Sequence, residues 1–125
     1  MLRLAAFDLD GTLKQARDPY VYIHRHLGTL EASEAHFQAG ISGAIPYEEW
    51  LRLDVSLWIG TPRATLEALL RENPYLPGAE ETVAALKAAG VRVVIISTGP
   101  LLHLSLIHIS EPTRLLSISY AVFCL

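Results

Sequence analysis

The chain has 125 residues, which is enough for one ordinary domain but too short for a core and a full-sized second domain. Its composition of 51% hydrophobic and 18% charged residues is typical of a globular protein, and a net charge of −3 gives no basic surface for nucleic acid. No apolar run approaches the roughly 20 residues that span a bilayer, and Met1–Arg3 leads into a strand without a signal peptide. The single cysteine, Cys124, excludes an internal disulfide. We therefore expect a cytoplasmic protein that binds neither nucleic acid nor membrane.

The first predicted element is a strand over Leu2–Leu9, because its nearly continuous apolar run is typical of a parallel strand buried on both faces. It runs into the sequence DLDGTL at positions 8–13, where two carboxylates stand one residue apart before a Gly-Thr turn. One such carboxylate can attack phosphorus, and the other can act first as general acid and then as general base. We expect Asp8 to be the nucleophile, Asp10 the general acid and base, and Thr12 a residue that orients the turn. The alternative is an Asx turn that only ends a strand.

An all-helical insertion is predicted over residues 14–76. Its helices are expected at 20–27, 31–39, 46–58 and from 61 to about 72. The third helix carries an apolar stripe, which favours packing within the insertion over a surface that stacks on a ligand: Trp50, Leu53, Leu57 and Trp58. Three histidines of this region lack the spacing of metal ligands and are interpreted as surface residues of helices: His24, His26 and His36.

Half of a doubly wound α/β unit follows the insertion. A helix over Ala79–Ala89 begins after Pro77-Gly78 and ends at Gly90, and a strand over Val91–Ile96 follows it. In such sheets ligands bind beyond the carboxyl ends of the strands. We expect the Ser97 hydroxyl to bind a phosphoryl oxygen there, together with the backbone amides of Thr98 and Gly99. The alternative is a polar turn that only ends the strand.

The C-terminal tail, residues 104–125, differs in character from the rest of the chain. Residues 104–114 resemble the in-frame translation of a transposase adapter used in DNA-sequencing libraries, and residues 118–125 resemble the flow-cell end of that adapter. The three residues between them match one leftover base plus an index of about eight bases. We therefore expect the tail to be non-native, so that Cys124 carries no role. The alternative is a genuine helix and loop followed by a closing strand over Leu115–Leu125.

Residues 1 to about 103 resemble the phosphoserine-phosphatase-like branch of the haloacid dehalogenase (HAD) superfamily. The resemblance rests on Phe7–Leu13, on the helical insertion, and on the segment from Leu76–Ala79 through Ser97–Gly99. It implies an α/β fold with an incomplete Rossmann-like core over 1–13 and 77–103 and a small helical cap over 14–76. It also implies hydrolysis of a small phosphomonoester through an aspartyl phosphate, with Mg²⁺ held by Asp8 and by the main chain at Asp10.

The resemblance also implies two further motifs, a lysine that neutralises the phosphoryl group and an acidic pair or triplet that completes the Mg²⁺ shell. Neither can be placed, because Lys87 precedes Ser97 and the tail contains no aspartate. We expect the full-length parent to be a phosphatase and this chain to be a truncated, inactive and poorly stable form. Such phosphatases often carry an acidic residue just past the first motif, but this chain has KQAR at 14–17. The resemblance therefore does not identify phosphoserine as the substrate. Two alternatives remain: a phosphotransferase or mutase, and a non-catalytic module that binds a phospho-ligand or a partner.

Overall fold

The computed structural model describes residues 1, 3–100, 102 and 106, and the backbone of 115–117 and 121–124. Two parallel strands and one helix form an α/β arrangement: β1 (Leu4–Asp8), α5 (Ala79–Ala88) and β2 (Arg92–Ser97). Four helices lie between β1 and α5 in the chain: α1 (Pro19–Leu27), α2 (Leu30–Ile41), α3 (Tyr47–Ser56) and α4 (Arg63–Glu72). The predicted α/β fold with a helical insertion is therefore confirmed. None of the helices in the described part has the length and apolar character needed to cross a membrane.

The parallel register of β1 and β2 aligns the carboxyl ends of the two strands. Leu4 lies opposite Arg92 at one end, and Asp8 lies opposite Ile96 at the other. The connection between two parallel strands must return to the starting edge of the sheet, and α5 makes the last part of that return. The residues that follow both strands therefore meet at one edge.

The apolar core of this α/β part lies on one face of the sheet. Inward-facing residues of β2 alternate with the strand period, and residues of α5 recur at the helical spacing of four, so that both sets face each other. The fully or nearly fully buried members are Leu9, Leu13, Ala79, Val83, Val93 and Ile95. Burial of each such large aliphatic side chain contributes about 1.5–3 kcal/mol to the hydrophobic driving force.

The prediction that the first strand is buried on both faces is wrong. The residues of β1 alternate between exposed and half-buried, and Leu4 at its start is 51% exposed. In the neighbouring strand β2, Ile96 is 43% exposed. Within the α/β unit, α5 packs against β2, and its buried residues Ala79 and Val83 belong to the same core as Val93 and Ile95. The strand is also shorter than predicted because the chain turns at Leu9, whose carbonyl accepts the Leu13 N–H at 3.0 Å. Leu2 lies outside the described residues.

The chain divides into two compact units, and their boundary differs from the predicted one. The α/β unit contains Met1–Pro19 and the chain from Leu70 onward, and the helical unit is Tyr20–Leu69. Residues 14–19 and 70–76 were assigned to the insertion, yet they belong to the α/β unit. The two segments hold each other: the Gln15 N–H donates to the Pro74 carbonyl at 2.9 Å, and the Leu76 N–H donates to the Leu13 carbonyl at 2.8 Å.

The two tryptophans do not share one stripe, because α3 ends at Ser56 and not at Trp58. The backbone N–H of Trp58 donates to the Val55 carbonyl at 3.0 Å. This hydrogen bond closes a three-residue turn, which takes Trp58 off the spacing of the α-helix. Its ring stacks on Tyr20 with centroids 5.7 Å apart. The Trp50 ring instead packs edge-on against Phe37 at 5.7 Å.

The interpretation of the histidines as surface residues is wrong for His24. Its side chain is 1% exposed, whereas His26 is exposed as predicted. His36 is half-buried, and its Nδ1 lies 3.0 Å from Oδ1 of Asp54 in α3. These burials depend on Asp54 and Trp58, which lie 30 and 34 positions beyond His24. A spacing rule for metal ligands does not detect such contacts.

Two short strands extend the sheet in the order β1-β2-β4-β3, with β3 at Leu115–Ser117 and β4 at Ala121–Cys124. β4 runs antiparallel to β2, with Val94 opposite Cys124, and β3 runs antiparallel to β4. An antiparallel neighbour needs no crossover helix, unlike the parallel strands of a doubly wound sheet. Both strands fall in the tail, most of whose other residues lie outside the described part. The non-native origin of the tail stays a prediction.

We expect Gly40→Ala to destabilise the protein, although alanine normally stabilises a helix interior by about 1 kcal/mol relative to glycine. A Cβ at Gly40 would lie 2.5 Å from Cδ2 of Trp50. Cδ2 is part of the rigid indole ring and cannot move aside as the end of a flexible side chain could. Such overpacking costs about 1–3 kcal/mol. Urea unfolding followed by circular dichroism measures the change in the free energy of unfolding.

The control is Gly40→Ala made in a Trp50→Leu background, where the ring is absent. There the alanine should be neutral or stabilising. A single Gly40→Ala variant that is more stable than the parent chain would show that Trp50 does not press on this helix.

Candidate active site

The end of β1 is a sharp turn that carries both predicted carboxylates. Asp8 is exposed, and its Oδ1 accepts the N–H of Leu9 at 2.8 Å. The Leu9 side chain is fully buried, and its carbonyl also accepts the Lys14 N–H at 2.9 Å. Gly11 has a φ of +76°, a left-handed conformation that a residue with a Cβ rarely adopts. The turn therefore leaves Asp8 at the strand end and brings Asp10 out of the strand direction.

Ser97, the last residue of β2, joins the two predicted motifs. Its side chain is buried, and its Oγ donates a hydrogen bond to Oδ2 of Asp10 at 3.1 Å. The Gly99 N–H donates in turn to Ser97 Oγ at 3.0 Å. The structure therefore brings Asp10, Ser97 and Gly99, which lie up to 89 positions apart, into one hydrogen-bonded chain.

A cavity of about 330 Å³ opens beside these residues. Its walls come from the carboxyl ends of both strands and from the turn after β2: Ala6, Phe7, Asp8, Ile96, Ser97 and Thr98. Asp8 and Thr98 are exposed at its edge, while Ser97 is buried. The cavity's polar side chains are the Asp8 carboxylate and the hydroxyl groups of Ser97 and Thr98. Thr12 lies in the turn after Gly11, where it is exposed and its N–H faces the Leu9 carbonyl at 3.3 Å.

Gly99 has a packing role that the sequence did not reveal. A Cβ at this position would lie 2.8 Å from Oδ2 of Asp10 and 3.2 Å from both Pro19 Cγ and Ser97 Oγ. The predicted role was a backbone amide for a phosphoryl oxygen, whereas in this arrangement the amide binds Ser97. A glycine after a strand end is a common turn residue, so its close approach to Asp10 could not be read from the sequence.

Lys14, for which the sequence predicts no role of its own, is buried beside the turn. Its Nζ donates to the Asn73 carbonyl at 2.8 Å and lies 3.9 Å from the centre of the Tyr75 ring. Burial lowers the pKa of the Lys14 ammonium, and the Glu80 carboxylate opposes part of that shift. The ammonium ties residue 14 to residues 73–75, so it does not serve as the lysine that would neutralise a phosphoryl group. The structural role of Lys14 is recognised from its contacts with Asn73 and Tyr75, and residue spacing in the sequence does not show these contacts.

Lys87 is also far from the site, as the sequence indicated. It lies in the last turn of α5, and β2 then runs from Arg92 to Ser97. The chain from α5 enters β2 at Arg92, and Ser97 lies at the other end of this strand. Asp8 makes no ion pair within the described residues.

The oxygen donors at the strand ends fit Mg²⁺ in chemistry, though they do not enclose it. Mg²⁺ prefers carboxylate and carbonyl oxygens, and proteins often hold it with one or two carboxylates while water and substrate phosphate complete its shell. Asp8 is exposed at the end of β1, and the main chain at Asp10 lies in the adjoining turn. Among the described residues, no cluster of three or more His, Cys, Asp or Glu side chains could hold a metal ion by itself.

Residues 5–107 match the model of the family described as haloacid dehalogenase-like hydrolase. The chain is 35% identical over 99 residues to a phosphoserine phosphatase of Albidiferax ferrireducens and 31% identical over 98 residues to one of Idiomarina loihiensis. These matches cover 78% and 77% of the chain, but 41% and 43% of the relatives. The chain therefore spans less than half the length of these relatives.

Two solved structures share the fold. A HAD family hydrolase from Salmonella enterica serovar Typhi gives a TM-score of 0.68 at 28% identity, over 77% of this chain and 33% of that one. A phospho-aspartyl intermediate analogue of phosphoserine phosphatase gives a TM-score of 0.61 at 31% identity, over 78% of this chain and 46% of that one.

We expect Gly99→Ala to break the hydrogen bond between Asp10 and Ser97 without unfolding the chain. The added Cβ meets the Asp10 carboxylate and the buried Pro19 ring, neither of which belongs to the apolar core cluster. The ¹³C chemical shift of the Asp10 carboxyl group and the amide signals of 97–99 should therefore change. Thr98→Ala, at an exposed neighbouring position, is the matched control. Identical Asp10 shifts in the two variants would mean that the close approach at Gly99 does not hold in solution.

Proposed function

The chain belongs to the haloacid dehalogenase-like hydrolase family, and on this premise we propose that its site acts in a Mg²⁺-dependent phosphatase of small phosphomonoesters. The observation that carries the proposal is the hydrogen bond from Ser97 to Asp10, because it joins the two motifs that such chemistry needs. The similarity to phosphoserine phosphatases supports the same reaction class. The cytoplasmic location predicted from the sequence forms part of this proposal.

Asp8 is proposed as the nucleophile and Asp10 as the proton carrier. An Asp8 oxygen forms a bond to phosphorus, and the ester oxygen leaves as an alcohol with the proton of the Asp10 carboxyl group. The Asp10 carboxylate then takes a proton from water, whose oxygen attacks phosphorus and releases Asp8 and phosphate. The Ser97 hydroxyl orients the Asp10 carboxyl group in both steps, since it is bonded to Oδ2.

Mg²⁺ would be held by an Asp8 oxygen and by the main chain at Asp10. When bound, it would offset the negative charge of the phosphoryl group and of the nucleophile. The charge balance needs such help, because Lys14 is bound to Asn73 and Asp8 has no ion pair in the described part of the chain. A complete enzyme of this kind would require a further cation near Asp8.

The substrate class is left at small phosphomonoesters. The segment after the turn carries Lys14 and Arg17 and no acidic side chain before Asp18. The Arg17 side chain covers the turn, since a Cβ at Gly11 would lie 2.9 Å from Arg17 Cγ. A positive residue at this place does not favour a substrate with a second positive group, so the phosphoserine activity of the relatives is not transferred here.

We expect Asp8→Asn to abolish Mg²⁺-dependent phosphate release by the full-length parent protein. Removal of a nucleophile that forms a covalent intermediate should lower the rate at least about a thousandfold. Phosphate release from a panel of small phosphomonoesters is the measurement. The 125-residue chain, assayed beside it, should stay near background because the charge of its site is not balanced.

Asp18→Asn is the matched control, because it removes an exposed carboxylate from the same segment and should leave the rate intact. Full activity in Asp8→Asn, or no release of phosphate from any ester by the parent protein, would contradict the proposal. In the second case, retained binding of phosphate would favour a non-catalytic phospho-ligand module. Transfer of the phosphoryl group to an added alcohol in preference to water would instead indicate a phosphotransferase.

A further inference from the structure

A buried polar cluster connects three helices of the helical unit. Its centre is Asp54 of α3, which is 7% exposed. Oδ1 of Asp54 lies 3.0 Å from Nδ1 of His36 in α2, and Oδ2 lies 3.8 Å from Nε2 of His24 in α1. The histidine cluster comprises these three residues together with Thr29 and Trp58, which both contact His24. The proposed phosphatase mechanism uses none of them.

The contacts of His24 define which ring nitrogen carries the proton. The indole N–H of Trp58 is only a donor, and it lies 3.3 Å from Nδ1 of His24. The tautomer with an unprotonated Nδ1 is the one that can accept this hydrogen bond, and we assign it to His24. The Thr29 hydroxyl lies 2.8 Å from the same nitrogen and in this state competes with the indole N–H for its single lone pair. The ring proton consequently sits on Nε2, which faces the Asp54 carboxylate, and His24 is neutral.

We propose that protonation of His24 releases Trp58, so that the helical unit contains a pH-operated latch formed by these two side chains. The incoming proton binds Nδ1, whose lone pair can then no longer accept the indole N–H. Two N–H groups would face each other across 3.3 Å, and Trp58 has to move away. The protonated Nδ1 donates instead to Thr29 Oγ1, whose position at 2.8 Å suits either direction of the bond.

Two titratable groups, Asp54 and His36, lie in the cluster with His24. Asp54, from α3, faces Nε2 and favours the charged ring, because an opposite charge nearby stabilises it. His36, from α2, contacts the other oxygen of Asp54. Thr29 and Trp58 are uncharged. The Tyr20 ring stacks on Trp58.

Trp58 links the latch to the turn between α3 and α4. The backbone N–H of Trp58 donates to the Val55 carbonyl, and the Trp58 carbonyl accepts the backbone N–H of Thr61 at 2.9 Å. The indole therefore fixes this turn against α1 through His24 and Tyr20. Release of the indole should loosen residues 57–61 while the hydrogen bonds within the helices remain.

The test follows the indole N–H signals of the whole 125-residue chain by ¹H–¹⁵N NMR between about pH 8 and pH 5, the range in which histidines titrate. The Trp58 signal should leave its hydrogen-bonded position with the same midpoint as the ring signals of His24. The Trp50 signal serves as an internal control and should stay in place, because Trp50 packs against Phe37 and Tyr47 outside the cluster.

Two variants sharpen the test. His24→Gln should abolish the pH-dependent step of Trp58. His36→Gln, the matched control, should keep the step but move its midpoint to higher pH, because Asp54 would then attract the His24 proton alone. If His24→Gln does not fold, the ¹⁵N spectrum of the imidazole in the unaltered chain decides, since it shows which ring nitrogen carries hydrogen.

Four results would overturn the proposal. One is a proton on Nδ1 of His24 at pH 8, and another is a Trp58 signal that stays fixed while His24 titrates. A third is a Trp58 step that persists in His24→Gln. The last is the loss of all dispersed amide signals at the same midpoint, which would show global unfolding in place of a local release.

Discussion

The site depends on the parallel register of β1 and β2. Asp8 lies opposite Ile96, so Asp10 and Ser97 follow at the same sheet edge and their side chains can form a 3.1 Å hydrogen bond. A slip of one residue would turn every side chain of a strand to the opposite face. The register is maintained by the buried face of β2 against α5, where Val83 and Ile95 are fully buried. The apolar core therefore helps to position the polar atoms at the end of the sheet.

Two glycines permit the close approaches within the site. Gly11 supplies the left-handed turn that takes the chain out of β1, and Gly99 lets the turn after β2 approach the Asp10 carboxylate. The positive charge of Lys14 is used to hold two chain segments together. In the proposed phosphatase, the described residues would supply the positioned carboxyl groups. Compensation of negative charge would have to come from elsewhere, and Mg²⁺ suits the oxygen donors present.

Local signals in the sequence predicted the elements and the meeting of the two motifs. The strand and helix periods and the Gly and Pro positions act over a few residues, and the carboxyl ends of parallel strands always share an edge. Contacts between distant residues were not predictable in this way. The exposed face of β1 depends on which helices exist to cover it. Lys14 is buried by Asn73 and Tyr75, about 60 positions away, and His24 is buried by Asp54 and Trp58.

The burial of Asp54 is not explained by stability alone. A buried carboxylate loses its hydration, and replacing such a charged group and its partners with apolar residues is often neutral or stabilising. Two histidines face the two oxygens of Asp54, and a tryptophan N–H completes the ring contacts of one of them. Hydrogen bonds of this kind have direction, so they select one arrangement of α1, α2 and α3 where apolar contacts would permit several. The same directionality makes the arrangement sensitive to a single proton, because an acceptor that gains hydrogen becomes a donor. Specific packing and pH response in the helical unit thus have one physical origin.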